Sequence, residues 1–385
     1  MAAAKAFLQH EPESGNPRHD PWSANLKLDE VGRFSMDRDR KFHNDERMMR
    51  YYVKPSAEVP GFALRDGYET WTTPEDEKDH INEMLMWVIH NKEKFQEQPS
   101  EDGIVSLNTD FVCKRGLLAR VMCTPYENNE ELAIAVTKFR GTYFMCEIST
   151  VLLSPEEELE ELSEEEAKEL RQLLYGGYKF EQYVTADKPG GEPDTTKPVN
   201  SCEQFYRVLR AGLKSHSLVY CGEVDAYDPE DDNQFVELKT SRIADLLIPR
   251  RTNNFKRFKL IRTWAQSVTT GVDKIVYGFR DDNNTICAVR DLQTSQIPAI
   301  VQDLDSPWNP RVCFSFLDQF LKFVKSRITI ANHKSVYLVT WQPSKKPWNK
   351  PYYDPIKDVR CERMGRDSDH AFLPQWFVEW DGWSK

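Results

Sequence analysis

Apolar and polar residues alternate along much of this chain, and that pattern predicts a protein rich in β-strands. The alternation is clearest from Leu218 to Thr240, LVYCGEVDAYDPEDDNQFVELKT, where two apolar runs flank a short acidic turn. Side chains two residues apart on a strand share a face, so each run has one apolar face and one charged face. The stretch therefore predicts a β-hairpin, around which the rest of the chain is organised.

The same signal predicts further strands. They cover Phe111–Thr124, Leu132–Phe139, Thr142–Ile148, Lys274–Phe279, Thr285–Val289 and Val336–Trp341. Apolar residues three and four positions apart predict helices instead. The helices cover Pro74–Phe95 with Thr73 as its cap, Ser154–Tyr175 with Ser154 as its cap, Cys202–Leu213, Asn254–Val268 and Pro310–Arg327. Strands with helices between and around them indicate an α+β (mixed α/β) fold, with one domain over residues 28–385 after a flexible polar leader, residues 1–27.

The overall charge is unevenly distributed along the chain. The net charge is −11, but residues 156 to 169 alone contain nine Glu and one Lys. The rest of the chain is therefore close to neutral, and a locally basic groove for a nucleic acid is not excluded. The eight cysteines form no CxxC pair, which is typical of reduced thiols in an intracellular protein. The sequence contains no apolar run long enough for a membrane span.

Charged residues are concentrated on one face of the predicted hairpin. Glu223 and Asp225 share a face, as do Glu237 and Lys239. One strand register sets Glu223 opposite Glu237, and a shifted register sets Asp225 opposite Glu237. Either register gathers three carboxylates and one ammonium group, and like charges that face each other need a neutralising partner. A divalent cation such as Mg²⁺ or Mn²⁺ is one solution, and a solvated sheet face with a Lys/Glu pair is the alternative.

The chain next to the hairpin is basic. From Glu237 to Arg262 there are eight basic residues and two acids, which either form the solvated face of an amphipathic helix or guide a phosphate backbone to the acids. Gln266 lies on the same helix and could hold a water molecule, although it also fits a helix surface. Glu181 is a candidate fourth acid, and Arg115 is either a surface ion-pair residue or a phosphate clamp.

Five motifs in this order resemble those of the DXO family of decapping exoribonucleases, and the similarity runs from about residue 28 to 345. They are Arg115-Gly116, GYKFE at Gly177 to Glu181, EVD at Glu223 to Asp225, ELK at Glu237 to Lys239, and WAQS at Trp264 to Ser267. The resemblance implies a PD-(D/E)XK nuclease-like core in which two β-sheets are flanked by helices. We expect residues 28–385 to form this single catalytic domain.

The resemblance implies one or two Mg²⁺ or Mn²⁺ ions. Their ligands would be Glu181, Asp225, Glu237 and the main-chain carbonyl of Leu238, with Glu223 acting through water or a second ion. Lys239 and Gln266 would place the attacking water, and Arg115 would contact the substrate phosphate. The implied catalytic set is Glu181, Glu223, Asp225, Glu237, Lys239 and Gln266, and the implied substrate contacts are Arg115, Glu223, Lys239 and Gln266.

The implied function is RNA 5′-end quality control. Family members remove pyrophosphate, unmethylated or incomplete caps and NAD caps, and several then degrade the 5′-monophosphate RNA in the 5′ to 3′ direction. The implied location is the nucleus, with a cytoplasmic pool as an open question. One alternative is a weakly catalytic or non-catalytic partner that stabilises a nuclear 5′–3′ exoribonuclease, and another is a DNA nuclease on the same core.

Overall fold

The structure is a computed structural model, and it describes residues 26–57, 59–73, 80–95, 106–148, 163–231, 234–343, 354–365 and 368–384. Its strands form two mixed sheets. The strands are β1 Lys27–Met36, β2 Phe42–His43, β3 Tyr51–Tyr52, β4 Phe111–Lys114, β5 Leu132–Phe139, β6 Thr142–Glu147, β7 Thr185–Ala186, β8 Gln204–Leu213, β9 His216–Glu223, β10 Ala226–Asp228, β11 Gln234–Arg242, β12 Lys274–Arg280, β13 Ile286–Gln293, β14 Tyr337–Trp341 and β15 Arg360–Arg363.

Helices pack on the faces of both sheets. The α-helices are α1 Asn82–His90, α2 Arg115–Cys123, α3 Glu164–Tyr183, α4 Ala244–Leu247, α5 Pro249–Asn254, α6 Leu260–Thr270, α7 Ile297–Ile300, α8 Pro310–Arg327 and α9 Gln375–Val378. A π-helical turn, Phe255–Lys259, joins α5 to α6. Within the described ranges, no helix is long and apolar enough to cross a membrane.

The larger sheet has nine described strands in the order β15-β14-β5-β6-β4-β9-β8-β1-β2. Strand β4 runs parallel to its neighbours β6 and β9, and the other neighbouring pairs are antiparallel. The smaller sheet has the order β13-β12-β11-β10-β3-β7. It contains two parallel pairs, β10 with β3 and β11 with β12. Strands β11 and β12 are connected through α4, α5 and α6, because a parallel pair requires a crossover. The fold is therefore the predicted mixed α/β arrangement of two sheets flanked by helices.

One apolar core links the two sheets. It includes Phe111 and Tyr220 of the larger sheet, Ile275 of the smaller sheet, and residues of α2, α6 and α8. Helix α3 covers the opposite face of the smaller sheet, where Phe180 packs on β12. A Cβ atom at Gly278 would lie 2.6 Å from the Phe180 ring, so glycine is required for this close approach. The core on this side fixes α3, and thereby the acid near its end.

Several predicted elements are confirmed. These are the strands at 132–139, 142–147, 274–280, 286–293 and 337–341, and the helices at 82–90, 249–270 and 310–327. The helix expected from Ser154 is observed from Glu164, where Ser163 accepts a hydrogen bond from the Glu166 N–H and forms a capping box. The helix expected from Pro74 begins at Asn82 with Ile81 as its N-cap, so the prediction of Thr73 as its cap is wrong. Pro74 and the predicted cap Ser154 lie outside the described residues. The leader 1–27 also lies almost wholly outside them, and the domain boundary stays a prediction.

Two predictions of element type are wrong. The strand expected over Phe111–Thr124 ends at Lys114, and α2 begins at Arg115. The helix expected over Cys202–Leu213 is strand β8, which lies between β1 and β9. In the second segment the partly exposed Gln204, Arg207 and Arg210 stand three residues apart, a spacing that also fits one face of a helix.

The hairpin prediction is right only for its second half. Strands β10 and β11 are antiparallel, with Ala226 opposite Val236, which is the shifted one of the two registers. Strand β9, by contrast, belongs to the larger sheet. The chain therefore leaves one sheet after Glu223 and enters the other at Ala226. The prediction failed because an apolar-polar pattern gives strand positions and does not say to which sheet a strand belongs.

Candidate active site

The candidate site lies where the chain passes from the larger sheet to the smaller one. Glu223 ends β9, and Asp225 directly precedes β10. The main-chain N–H of Leu238 on β11 donates a hydrogen bond to Asp225 Oδ2 at 2.6 Å, which ties the crossing segment to the neighbouring strand. Glu237 and Lys239 flank Leu238 on β11 and point away from the Leu238 side chain, which packs in the apolar core on the α3 side.

Glu237 and Lys239 form a buried ion pair. Lys239 Nζ lies 2.5 Å from Glu237 Oε1, and Glu237 is 1% exposed. Burial is the largest single influence and opposes both charges. The attraction and hydrogen bond between the two groups, together with Arg115 near Glu237 and Asp225 near Lys239, outweigh burial, so the pKa of Glu237 is lowered and the pKa of Lys239 is raised. The second carboxylate oxygen of Glu237, Oε2, is buried and accepts no hydrogen bond from any described residue. Glu237 therefore keeps an unused ligand atom.

The surroundings of the other three acids disfavour their ionised forms. Burial raises the pKa of Glu181 well above its ordinary value, and the nearby carboxylates of Asp225 and Glu223 raise it further. Burial and Glu237 raise the pKa of Asp225 to about 7. Burial also raises the pKa of Glu223, with Arg115 as the main opposing charge. Because these acids repel one another, a cation bound among them would favour their ionised forms.

The donor set suits a hard divalent cation, because its ligand atoms are carboxylate oxygens. The unused Oε2 of Glu237 and the raised pKa of Glu181 and Asp225 support the same fit. Among the described residues, however, no three Asp, Glu, His or Cys side chains already stand together with the spacing of a finished metal site. At β11, Lys239 contacts one carboxylate oxygen of Glu237, and the Leu238 N–H donates to one carboxylate oxygen of Asp225.

Arg115 faces the acids from the first residue of α2. Its Nη2 donates a hydrogen bond to the Glu223 main-chain oxygen at 3.2 Å, while its Nη1 is buried without a hydrogen-bond partner among the described residues. Gly222 permits this approach, because a Cβ atom there would lie 3.1 Å from the Arg115 Cβ and 2.9 Å from Thr270 Cγ2. Arg115 therefore lies at a strand-to-helix junction, a position that the predicted strand over Phe111–Thr124 did not indicate.

Two cavities meet at Glu223. The larger cavity, lined by Lys114, Arg115, Glu223 and Gln266 among others, has a volume of about 480 Å³. A smaller cavity of about 120 Å³ is lined by Tyr178, Glu181, Glu223 and Asp225 among others. The structure therefore brings Arg115, Gln266 and Glu223 to one space and the two other acids to the adjoining one. Glu237 and Lys239 line neither cavity and lie beneath them on β11.

Glu223 is held by a series of hydrogen-bonded polar side chains that the sequence analysis did not predict. Gln204 Nε2 donates to Glu223 Oε2 at 3.4 Å, and Gln204 Oε1 accepts from Arg40 Nη1 at 3.0 Å. Arg40 in turn donates to Glu83 at 3.1 Å, and the same carboxylate is 3.1 Å from Lys114 Nζ. The sequence could have indicated this chain of contacts at Glu83. It is a carboxylate within the apolar stripe of α1, and a buried acid requires cationic partners.

Comparisons with known proteins find one matching family model and several named relatives. The model of the family described as RAI1 like PD-(D/E)XK nuclease matches residues 27–378. The chain is 35% identical to the human "Decapping and exoribonuclease protein", covering 91% of this chain and 84% of that protein. It is 29% identical to the "Decapping nuclease RAI1" of Debaryomyces hansenii, covering 87% of each.

Solved structures share the fold. Scheffersomyces stipitis Rai1 matches with a TM-score of 0.75 and 23% identity, covering 92% of this chain and 96% of that one. Candida albicans Rai1, in a complex with pU5-Mn²⁺, matches with a TM-score of 0.75 and 22% identity, covering 92% and 95%. A further S. stipitis Rai1 structure contains (3′-NADP)⁺ and calcium, with a TM-score of 0.73, 23% identity and coverage of 88% and 89%. On the match over residues 27–378, the chain belongs to the RAI1-like PD-(D/E)XK nuclease family.

Proposed function

We propose that this protein is a divalent-metal-dependent hydrolase that removes the 5′ group of RNA and then degrades the RNA from its 5′ end. The observation that carries this proposal is the buried acid group at the sheet crossing, with Lys239 on one side and the unsatisfied Arg115 Nη1 on the other. Such a site pairs ligands for a cation with donors for a phosphate. The relatives named decapping nucleases support the same reaction class.

The metal would be Mg²⁺ or Mn²⁺, as one or two ions, held by Glu181, Glu223, Asp225, Glu237 and the Leu238 carbonyl. When bound, it would activate water and stabilise the charge that develops on the phosphate. Manganese and calcium in the Rai1 complexes are consistent with such a site.

The chain's own residues have distinct tasks in this proposal. Arg115 Nη1 would donate to a phosphate oxygen, because a buried guanidinium N–H without an acceptor costs free energy until a ligand supplies one. Gln266 lines the same cavity and would orient the attacking water through its amide. Lys239 would keep Glu237 ionised and add positive charge near the reacting phosphate.

The substrates proposed are RNAs with a 5′ triphosphate, an unmethylated cap, an NAD cap or a 5′ monophosphate. The pU5 and NADP complexes of Rai1 proteins support a site that accepts both RNA and dinucleotides. A nuclear location with a cytoplasmic pool is part of the proposal, and eight cysteines free of disulfides fit an intracellular protein. A role as a partner of a nuclear 5′–3′ exoribonuclease is the alternative, and the complete set of acids and Lys239 argues against a purely structural role.

The test uses purified protein, Mg²⁺ and internally labelled RNAs with each of the four 5′ ends. Wild type should release the 5′ group and then shorten the RNA, and Asp225→Asn should do neither. Asp291→Asn is the matched control, because Asp291 is an exposed residue of the same sheet. Wild-type protein that turns over none of these RNAs would refute the proposal and favour the partner role.

A further inference from the structure

Gln204 connects the start of β8 to the carboxylate of Glu223. Tyr206 stands opposite Glu223 on the neighbouring strand β9, and Gln204 lies two residues before Tyr206. The three side chains therefore share one face of the larger sheet. Gln204 Nε2 donates to Glu223 Oε2 at 3.4 Å. Gln204 is thus the side chain, among the described residues, that donates a hydrogen bond to this carboxylate.

The amide of Gln204 can point in one direction only. Arg40 Nη1 donates to Gln204 Oε1 at 3.0 Å, and the Tyr206 hydroxyl donates to the same oxygen at 3.0 Å. A guanidinium group has no acceptor atom, so the amide atom beside Arg40 must be the oxygen. The Nε2 end of the amide therefore points to Glu223 and offers it N–H donors.

Both groups that orient the amide are themselves held in place. The Tyr206 ring stacks on the buried Phe34 ring, with ring centroids 4.7 Å apart. Arg40 Nη2 donates to Glu83 Oε1 at 3.1 Å, and Glu83 is 3% exposed. Because a buried carboxylate that loses a cationic partner is strongly destabilising, this ion pair fixes the Arg40 guanidinium.

The backbone at Arg40 points to a positioning role. Arg40 has a φ of 60°, in the left-handed region that few residues other than glycine adopt. It lies in the turn between β1 and β2, where Asp37 Oδ1 accepts hydrogen bonds from the main-chain N–H groups of Asp39 at 2.9 Å and Lys41 at 3.0 Å. Strained residues of this kind persist where their surroundings fix them, and they cluster at functional sites.

We propose that Gln204 is a positioning residue for Glu223, and that Arg40 acts on Glu223 through Gln204. The inference rests on the metal-dependent hydrolase proposed above, because Glu223 is one of its expected acids. Neither Gln204 nor Arg40 lines the larger or the smaller cavity, so neither is placed to contact RNA there. The amide holds Oε2 of Glu223 and leaves Oε1 available to a cation or to its bound water.

The first measurement is calorimetric titration of Mn²⁺ into the metal-free, full-length protein, which reads the acid site without turnover. Gln204→Met removes the amide and keeps the side-chain length. It should weaken Mn²⁺ binding roughly tenfold, as expected when a group that orients a metal ligand is lost. Gln293→Met is the matched control and should bind like wild type, because Gln293 is a partly exposed glutamine at the end of β13 that lines neither cavity.

Gln204→Asn keeps an amide but is one methylene shorter, so it cannot reach both Arg40 and Glu223. It should also weaken Mn²⁺ binding roughly tenfold, and it tests the role where Gln204→Met fails to fold. Variants at Gln204 that bind Mn²⁺ like wild type would overturn the proposal. Wild-type protein that binds no Mn²⁺ would overturn both the positioning role and the metal site.

A double-mutant cycle separates this role from a purely structural one. Arg40→Met should weaken Mn²⁺ binding several-fold in the wild-type background and have no further effect in Gln204→Met, because Arg40 acts through the amide. In urea unfolding, Arg40→Met should lower the midpoint in both backgrounds, since Glu83 loses a partner in each. Equal losses of Mn²⁺ affinity from Arg40→Met in the two backgrounds would overturn its action through Gln204.

Steady-state cleavage of 5′-triphosphate RNA gives the second measurement. Both Gln204 variants should lower kcat roughly tenfold and change KM for RNA by less than about twofold, because Gln204 orients a reacting group and does not bind the substrate. A raised KM with unchanged kcat would overturn the positioning role. Wild type that binds Mn²⁺ and cleaves no RNA would refute the proposed function, while weaker Mn²⁺ binding by Gln204→Met would still support the positioning of Glu223.

Discussion

Replacing Asp225 by Asn should stabilise the metal-free protein while it abolishes turnover. Burial and the neighbouring Glu237 raise the pKa of Asp225 from 3.8 to about 7. The ionised form is therefore disfavoured in the folded state. The rise in the pKa of Asp225 corresponds to a cost of at most about 4 kcal/mol in the free energy of unfolding.

The pH dependence of this effect has a definite sign. Below about pH 4 the carboxyl is protonated in both folded and unfolded chains, so Asp225 costs nothing. Between pH 4 and 7 the unfolded chain releases the proton while the folded chain keeps it, and the free energy of unfolding falls as pH rises. Above pH 7 the full cost is present. Asn is neutral throughout, and its carbonyl oxygen can still accept the Leu238 N–H.

Urea unfolding in EDTA at pH 5 and pH 8 measures the difference. Asp225→Asn should exceed wild type by about 2–4 kcal/mol at pH 8 and by clearly less at pH 5, while Asp291→Asn should follow wild type at both. Adding Mn²⁺ should then stabilise wild type more than Asp225→Asn, because a ligand that binds the folded state raises its stability. A variant that is no more stable than wild type at pH 8 would show that the folded state does not disfavour the ionised form of Asp225.

Three further changes test other contacts. Lys239→Met should abolish turnover and lower the free energy of unfolding by about 3–5 kcal/mol at pH 8, because Glu237 would lose its buried partner; an unchanged urea midpoint would contradict the ion pair. Arg115→Lys should raise KM for 5′-phosphorylated RNA roughly tenfold in steady-state kinetics, since one ammonium group cannot replace a guanidinium fork, and an unchanged KM would remove Arg115 from the phosphate. Gly278→Ala should destabilise the protein by about 1–3 kcal/mol in urea unfolding, because the added methyl meets the Phe180 ring, and wild-type stability would show that α3 can shift at no cost.

Local pattern was enough to find most of the acid site. Glu237 and Lys239 stand two apart on β11, and their shared face follows from strand geometry alone. The spacing also singled out Glu223 and Asp225, but these two acids lie where the chain passes between the sheets, which strand geometry did not predict. The shifted register could be written down before the structure, although nothing local chose it. The sequence also predicts their charge imbalance, because three acids and one lysine that lie together require a counter-ion.

The remaining site residues depend on tertiary contacts that no local pattern encodes. Arg115 was expected within a strand, and its place at the start of α2 follows from the packing of that helix against α6 and α8 in the common core. Gln204, on a strand expected to be a helix, reaches Glu223 only because β8 pairs with β9. Glu181 approaches the acids because Phe180 packs on Gly278, a contact between residues almost a hundred positions apart.

The crossing of the chain between the sheets links catalysis to the integrity of the whole fold. Glu223 is fixed by the larger sheet, and Asp225 is fixed by the hydrogen bond from β11 of the smaller sheet. Any partial unfolding that separates the two sheets would pull these neighbouring acids apart before either sheet melts. Turnover would therefore be lost at an earlier stage of unfolding than the structure of either sheet.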